Sequence, residues 1–223
     1  MVFFLLAGCA HLYPGPVSAL VDAPVSERRP PRTAAVATAP PPVPRNPQQA
    51  AVAAAQGFVG RPRLVVAGET YRFDCSGLVE ASLAAAGVPQ KGSSAMLFAT
   101  AREQRVLHRR HLPQPGDVAF FDDTYDRDND GRLNDPLSHS ALVESVAPDG
   151  TITLIHLGSA GVVRIRMNLR HPEDARGPTG EVWNDALRAR RPTDSRRTRY
   201  LAGELWVGFG SFWRAEPAVA STR

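Results

Sequence analysis

The chain has 223 residues, enough for one or two domains with a sizeable core, and its 43% apolar content excludes a disordered polyelectrolyte. It holds no run of about 20 apolar residues that would make a full transmembrane helix. Its two cysteines, Cys9 and Cys75, exclude a disulfide-rich scaffold and a CxxC site, and its net charge of +4 is the excess of 26 basic residues, 25 of them arginine with the single Lys91, over 22 acids.

The first nine residues, Met1-Val2-Phe3-Phe4-Leu5-Leu6-Ala7-Gly8-Cys9, end in Leu6-Ala7-Gly8-Cys9, which resembles the lipobox of bacterial lipoproteins. That resemblance implies a lipid on Cys9 and a membrane-anchored lipoprotein of the bacterial cell envelope that faces the periplasm. A basic n-region and a longer apolar stretch, usual in a secretory signal, are missing. Ten of the twenty prolines fall in the first fifty residues, and Pro40-Pro41-Pro42-Val43-Pro44 sustains neither helix nor central strand. Residues 1–12 are therefore read as a partial signal and lipobox segment, and 13–46 as an extended tether that gives an anchored domain reach.

Residues 47–57 are expected to form a helix, with Pro47 at its start and Gly57 at its end. Leu78, Val79, Leu83 and Ala86 recur at helical spacing after Cys75, and Ser93 or Ser94 caps a third helix running to about Gln104. Pro115-Gly116 turns the chain into a strand at 117–121. Strands follow at 139–146, 151–157 and 162–167, short, rich in β-branched residues and separated by turn signals. A helix is expected near 182–190 and a closing strand at 205–212. Helices first, then hairpin-linked strands, predict an α+β domain over 47–214 with helices packed on an antiparallel sheet, and a disordered tail at 215–223.

Charge is uneven. Residues 121–135 hold six acids against two bases, and residues 176–223 hold nine arginines against five acids. The basic stretch reads as a solvated face. No zinc finger or aromatic-interleaved basic motif accompanies it, so nucleic acid is not an expected partner. His108, His111 and His171 read as surface residues.

Cys75 lies in Phe73-Asp74-Cys75-Ser76-Gly77-Leu78-Val79. At a helix start, free amides and the macrodipole favour a thiolate, and an imidazole nearby would make it an acyl-transfer nucleophile. The motif resembles the nucleophile signature of the NlpC/P60 cysteine peptidases. Leu112-Pro113-Gln114-Pro115-Gly116-Asp117-Val118-Ala119-Phe120-Phe121 is similar to that family's Pro-Gly-Asp strand. Ser138-His139-Ser140-Ala141 sits where the family has its catalytic histidine, and Thr153-Leu154-Ile155-His156 matches the next strand.

The resemblance covers about residues 50–167 and implies a papain-like fold. It also implies a thiol-dependent hydrolase that cleaves peptide or amide bonds of peptidoglycan stem peptides, with no required cofactor. Cys75 would be the nucleophile, its backbone N–H an oxyanion donor, His139 the general base and acid, and His156 the orienting residue. A CHAP-type amidase or peptidase, or an acyltransferase, would use the same residues. A catalytically idle domain that binds wall fragments or a partner is a reading from another class. Three features depart from the family pattern. Ser140-Ala141 replaces Val-Gly, an acidic insert occupies 122–137, and the family's tyrosine about a dozen residues before the cysteine has no match. Tyr71 is a weaker stand-in.

For His139 and His156 to cooperate they must share one sheet face. A two- or four-residue loop at 147–150 keeps them together. A three-residue loop flips His156 to the Leu142 face unless a bulge compensates, because the side-chain period is two.

The insert itself, Asp126-Arg127-Asp128-Asn129-Asp130-Gly131, is close to the D-x-D-x-D-G calcium-loop pattern. Asp126, Asp128, Asp130 and Asp135, with the Arg132 carbonyl, are the candidate ligands of a structural Ca2+. A solvated acidic turn is the alternative. Leu137 stands where a full EF-hand has its glutamate.

Overall fold

In a computed structural model, which describes residues 46–214, the chain enters through a helix whose start two local devices fix. The lipobox at Cys9, the tether before residue 46 and the tail at 215–223 lie outside the described residues. Helix α1 (Pro47–Phe58) has proline in its first turn, and the Asn46 side chain accepts the Gln49 amide at 3.0 Å. Its Ala51, Ala55 and Phe58 form a buried stripe at helical spacing. A small antiparallel hairpin follows, β1 (Leu64–Val66) and β2 (Glu69–Tyr71).

Helix α2 (Cys75–Ala85) starts at an Asp74 cap whose carboxylate accepts the Gly77 amide at 2.7 Å. Every residue from Ser76 to Leu83 is buried, so α2 is the central helix of its layer. Helix α3 (Ser94–Glu103) begins at Ser93, whose hydroxyl accepts the Met96 amide at 3.4 Å.

The remaining strands are β3 (Leu107–His108), β4 (Val118–Phe121), β5 (His139–Val146), β6 (Thr151–Gly158), β7 (Gly161–Asn168) and β8 (Trp206–Gly210), with the short helix α4 (Ala202–Leu205) before β8. They pair antiparallel in the order β3-β8-β4-β5-β6-β7. The domain is thus mixed α+β, with helices leading into a six-stranded antiparallel sheet.

Both faces of the sheet are covered. On one side Leu78, Val79, Leu83, Leu97 and Ala101 of the helices pack against Val118, Phe120, Leu142 and Ile155. On the other, Leu169, Ala202, Leu205 and Leu187 cover Ala119, Phe121, Ala141, Val143, Ile152 and Leu154. This is why β4 is buried at all four positions and shows no alternation of polar residues.

The second cover corrects two sequence expectations. Residues 182–190 form no helix. Asn184 instead ties the segment down, its carboxamide oxygen accepting the Asn168 and Gly203 amides and its nitrogen donating to the carbonyls of His171 and Asp174. A side chain that serves four backbone groups of distant segments competes with helix. His108 is not a surface residue either. It is largely covered, and its Nε2 lies 3.3 Å from Asp117 Oδ2 and 3.2 Å from Ser211 Oγ.

Candidate functional site

The β5–β6 hairpin decides where the two histidines point. Val146 pairs with Ile152 and the Ala147 amide bonds the Thr151 carbonyl at 2.8 Å, leaving a three-residue loop, Pro148-Asp149-Gly150. That loop alone would put His156 on the Leu142 face. The register shifts between Val143 and Ser145, so Glu144 is a surplus residue and the ladder resumes with Val143 opposite Leu154. One bulge restores the face: His156 falls with Ile152 and Leu154, and His139 with Ala141 and Val143. Glu144 is held outside the ladder by Arg164, at 2.6 and 2.8 Å, and by Gln56 at 2.8 Å.

His139 Nε2 lies 3.0 Å from His156 Nδ1, with the rings near perpendicular at 79°. Both residues are buried, 7% and 8% exposed. Gly158 makes room for the second ring, since a Cβ there would lie 3.0 Å from His156 Cε1. Burial, and then the charge of His156, lowers the pKa of His139 from 6.5 to about 3. Burial lowers that of His156 to about 4, against an opposing pull from Asp185. Both rings are neutral at pH 7, so one donates to the other. If His139 Nε2–H donates to His156 Nδ1, the free lone pair of His139 is on Nδ1.

Cys75 occupies the first position of α2, and its N–H has no hydrogen-bond acceptor among the described residues. The start of the helix is braced from three sides. Asp74 accepts from Ser76 Oγ at 3.0 Å and ion-pairs with Arg72 at 3.4 Å. Arg72 donates to Ser76 Oγ, Glu80 Oε1 and the Gly92 carbonyl at 3.2, 2.9 and 3.1 Å. The chain before the helix passes so close that a Cβ on Gly77 would sit 2.0 Å from the Arg72 carbonyl oxygen. The glycine of the Cys-Ser-Gly motif is a packing requirement here.

The Cys75 Sγ lies 3.8 Å from Ser94 Oγ, and Ser94 donates to Ser140 Oγ at 3.0 Å. The thiol is therefore joined through two buried hydroxyls to Ser140 on the helix side of β5, whereas His139 and His156 lie on the opposite face with Phe121 and Ala141, and no contact joins either ring to the thiol among the described residues. Ser140 is one of the departures from the family pattern; the sequence showed its hydroxyl but not the Ser94 partner. Sequence reasoning missed the contacts of Ser94 and Gly158. Tyr71 does not turn toward the thiol: its hydroxyl donates to Glu69 Oε2 at 3.2 Å.

The acidic insert leaves β4 and returns at β5. Carboxylate oxygens of Asp126, Asp128 and Asp135 lie within 4.8 Å of one another. Asp126 Oδ1 is buried with no hydrogen-bond partner among the described residues, and Asp135 is 3% exposed. These three could hold a cation. Asp130 is outside that cluster, its Oδ1 accepting the Arg132 amide at 2.8 Å. Arg127, 3.7 Å from Asp135 Oδ1, supplies a positive charge from the protein itself.

Comparison of the chain with protein-family models, with curated proteins and with solved structures finds no match.

Proposed function

We propose that this protein is a cysteine hydrolase of NlpC/P60 type with a papain-like arrangement, acting on peptide or amide bonds of peptidoglycan stem peptides. The observation that carries the reading is Cys75 at the braced start of α2, linked through Ser94 to Ser140, which follows His139 of the buried His139–His156 pair; that pair lies on the sheet face opposite α2. As the thiol attacks the carbonyl carbon, the resemblance assigns its proton to His139, a transfer that requires the ring to turn from the far face of β5 toward the thiol. His156 accepts from Nε2 and fixes the His139 tautomer. The Cys75 N–H and the α2 start stabilise the oxyanion. His139 then protonates the leaving amine, and water, activated by the same ring, hydrolyses the thioester.

Digestion of purified muropeptides tests this. The wild type should give new amine and carboxylate ends and Cys75→Ala none. Equal products from both would refute it. An idle binding domain would instead leave Cys75 inert to iodoacetamide below pH 8. The reading extends to a lipid anchor at Cys9, tested by loss of detergent-phase partitioning in Cys9→Ala. It extends also to a structural Ca2+ in the acidic loop, favoured by the partnerless Asp126 Oδ1 beside Asp128 and Asp135.

A further inference from the structure

Two helices begin at one sulfur. Cys75 is the first residue of α2 and Ser94 the first of α3, and the Cys75 Sγ lies 3.8 Å from the Ser94 Oγ. The chain between the helices is clamped to hold that approach. Glu80 Oε1, on a buried residue of α2, accepts the Gly92 amide at 2.6 Å, and Arg72 donates to the Gly92 carbonyl at 3.1 Å. Arg72 also donates to Glu80 at 2.9 Å, so both backbone groups of Gly92 are tied to one ion pair two residues before Ser94.

Ser94 Oγ donates to Ser140 Oγ at 3.0 Å. Ser140 stands opposite Phe120 in the β4–β5 ladder and so shares the sheet face that the helices cover. Both hydroxyls are buried, Ser94 4% and Ser140 0% exposed, and each serves the other as a partner. The thiol is partly exposed. The result is a row of sulfur, hydroxyl and hydroxyl that opens to solvent at the sulfur end.

A hydroxyl donates and accepts, and its hydrogen rotates to suit. In the thiol form the S–H donates to Ser94, and Ser94 to Ser140. A sulfur that has lost its proton can only accept. Rotation of the two hydroxyl hydrogens then reverses the row, with Ser140 donating to Ser94 and Ser94 to the sulfur. A bond that ends on an anion is stronger than one headed by a weak S–H donor, and the second hydroxyl polarises the first. The reversal therefore favours the charged sulfur. The charged neighbours do not replace this donor. Asp74 and Arg72 pair with each other at 3.4 Å, and Arg72 is otherwise spent on Ser76, Glu80 and Gly92. In the insert, burial and then the Cys75 charge raise the Tyr125 phenol above 10.0, so it is neutral at neutral pH. His139 of β5 lies on the far face.

We infer that Ser94 is a catalytic residue whose hydroxyl donates to the Cys75 sulfur once the thiol proton has left, and that Ser140 is the positioning residue that turns it. This rests on the reading of Cys75 as a nucleophile. No part of it needs His139, because the proton can leave to a base in solvent at the exposed edge of the thiol.

The test is alkylation of Cys75 in the full chain by iodoacetamide, followed by intact mass as a function of pH. The sulfur–carbon bond forms as iodide leaves, and the thiol proton goes to buffer. Ser94→Ala should raise the half-maximal pH by about one unit or more, the scale of a lost hydrogen bond to a charged group. Its limiting rate at high pH should stay within about threefold of wild type, the change in intrinsic nucleophilicity that such a shift brings. Ser140→Ala should move the profile the same way by less, and should add nothing in a Ser94→Ala background. Ser93→Ala removes the cap on the Met96 amide but leaves the row intact, so its profile should match wild type. An unchanged profile in folded Ser94→Ala, or an equal shift in Ser93→Ala, would overturn the assignment. If Ser94→Ala does not fold, Ser140→Ala decides, and a wild-type profile there would overturn it. A wild type inert to iodoacetamide below pH 8 would refute the nucleophile reading itself.

Discussion

His139 and His156 share one short contact, and burial decides its charge. Both rings titrate below the usual 6.5 in the folded chain, to about 3 and about 4. The unfolded chain therefore binds protons between pH 6.5 and about 4 that the folded chain refuses, and the stability present above 6.5 is lost as pH falls through the folded values. The melting temperature should drop across that window, and His156→Gln should flatten the slope. The proposed cleavage uses neutral His139, so its acid limb should fall well below pH 6.5, not at it. A limb centred at 6.5 would place a normally solvated histidine in the role. At the helix start, Gly77→Ala drives a methyl into the Arg72 carbonyl, so it should cost about 1–3 kcal/mol in denaturant unfolding. It should also change the Cys75 alkylation rate. Cys75 and both histidines were legible as candidate residues from their motifs, but the opposite sheet faces on which the thiol and the rings sit were not. Ser94 was not, because only the packing of α3 brings it to the thiol.

At the scale of elements, what the sequence carried well is what local chemistry fixes. Pro47 sets the start of α1, Asp74 opens α2 after an extended residue, Ser93 caps α3, and the β-branched runs gave β5 its full extent. The bulge was visible only as a condition, since nothing in Glu144 itself distinguishes a surplus residue from a paired one. Arg164 and Gln56, which hold it out, come from β7 and α1. The failed helix at 182–190 has the same cause, with long-range bonds of Asn184 overriding local propensity. Deleting Glu144 should leave the pairs Val143–Leu154 and Ser145–Thr153 adjacent in a regular ladder. The histidines would stay on one face, and muropeptide cleavage should survive. A folded deletion variant without cleavage would show that the bulge shapes the site beyond restoring the face.

Over the whole described domain, a sheet with both faces covered explains why the histidine pair can be dry while the thiol is partly exposed. The residues from Leu169 to Leu205 close the side that the helices leave open. Charge reads differently on this scale too. The acids that make the insert negative are gathered at one loop beside the site. Millimolar Ca2+ should raise the melting temperature and EDTA should reverse it, with the gain lost in Asp126→Asn. No shift would leave Arg127 as the loop's counter-charge. The central claim is that Cys75 carries the acyl half of a wall peptide. Its most direct test is intact-mass spectrometry of the protein acid-quenched during turnover of purified muropeptides. A thioester adduct on Cys75, equal in mass to the acyl fragment less the displaced hydrogen and absent in Cys75→Ala, is the predicted result. Cleavage products that accumulate equally without Cys75 would contradict the account.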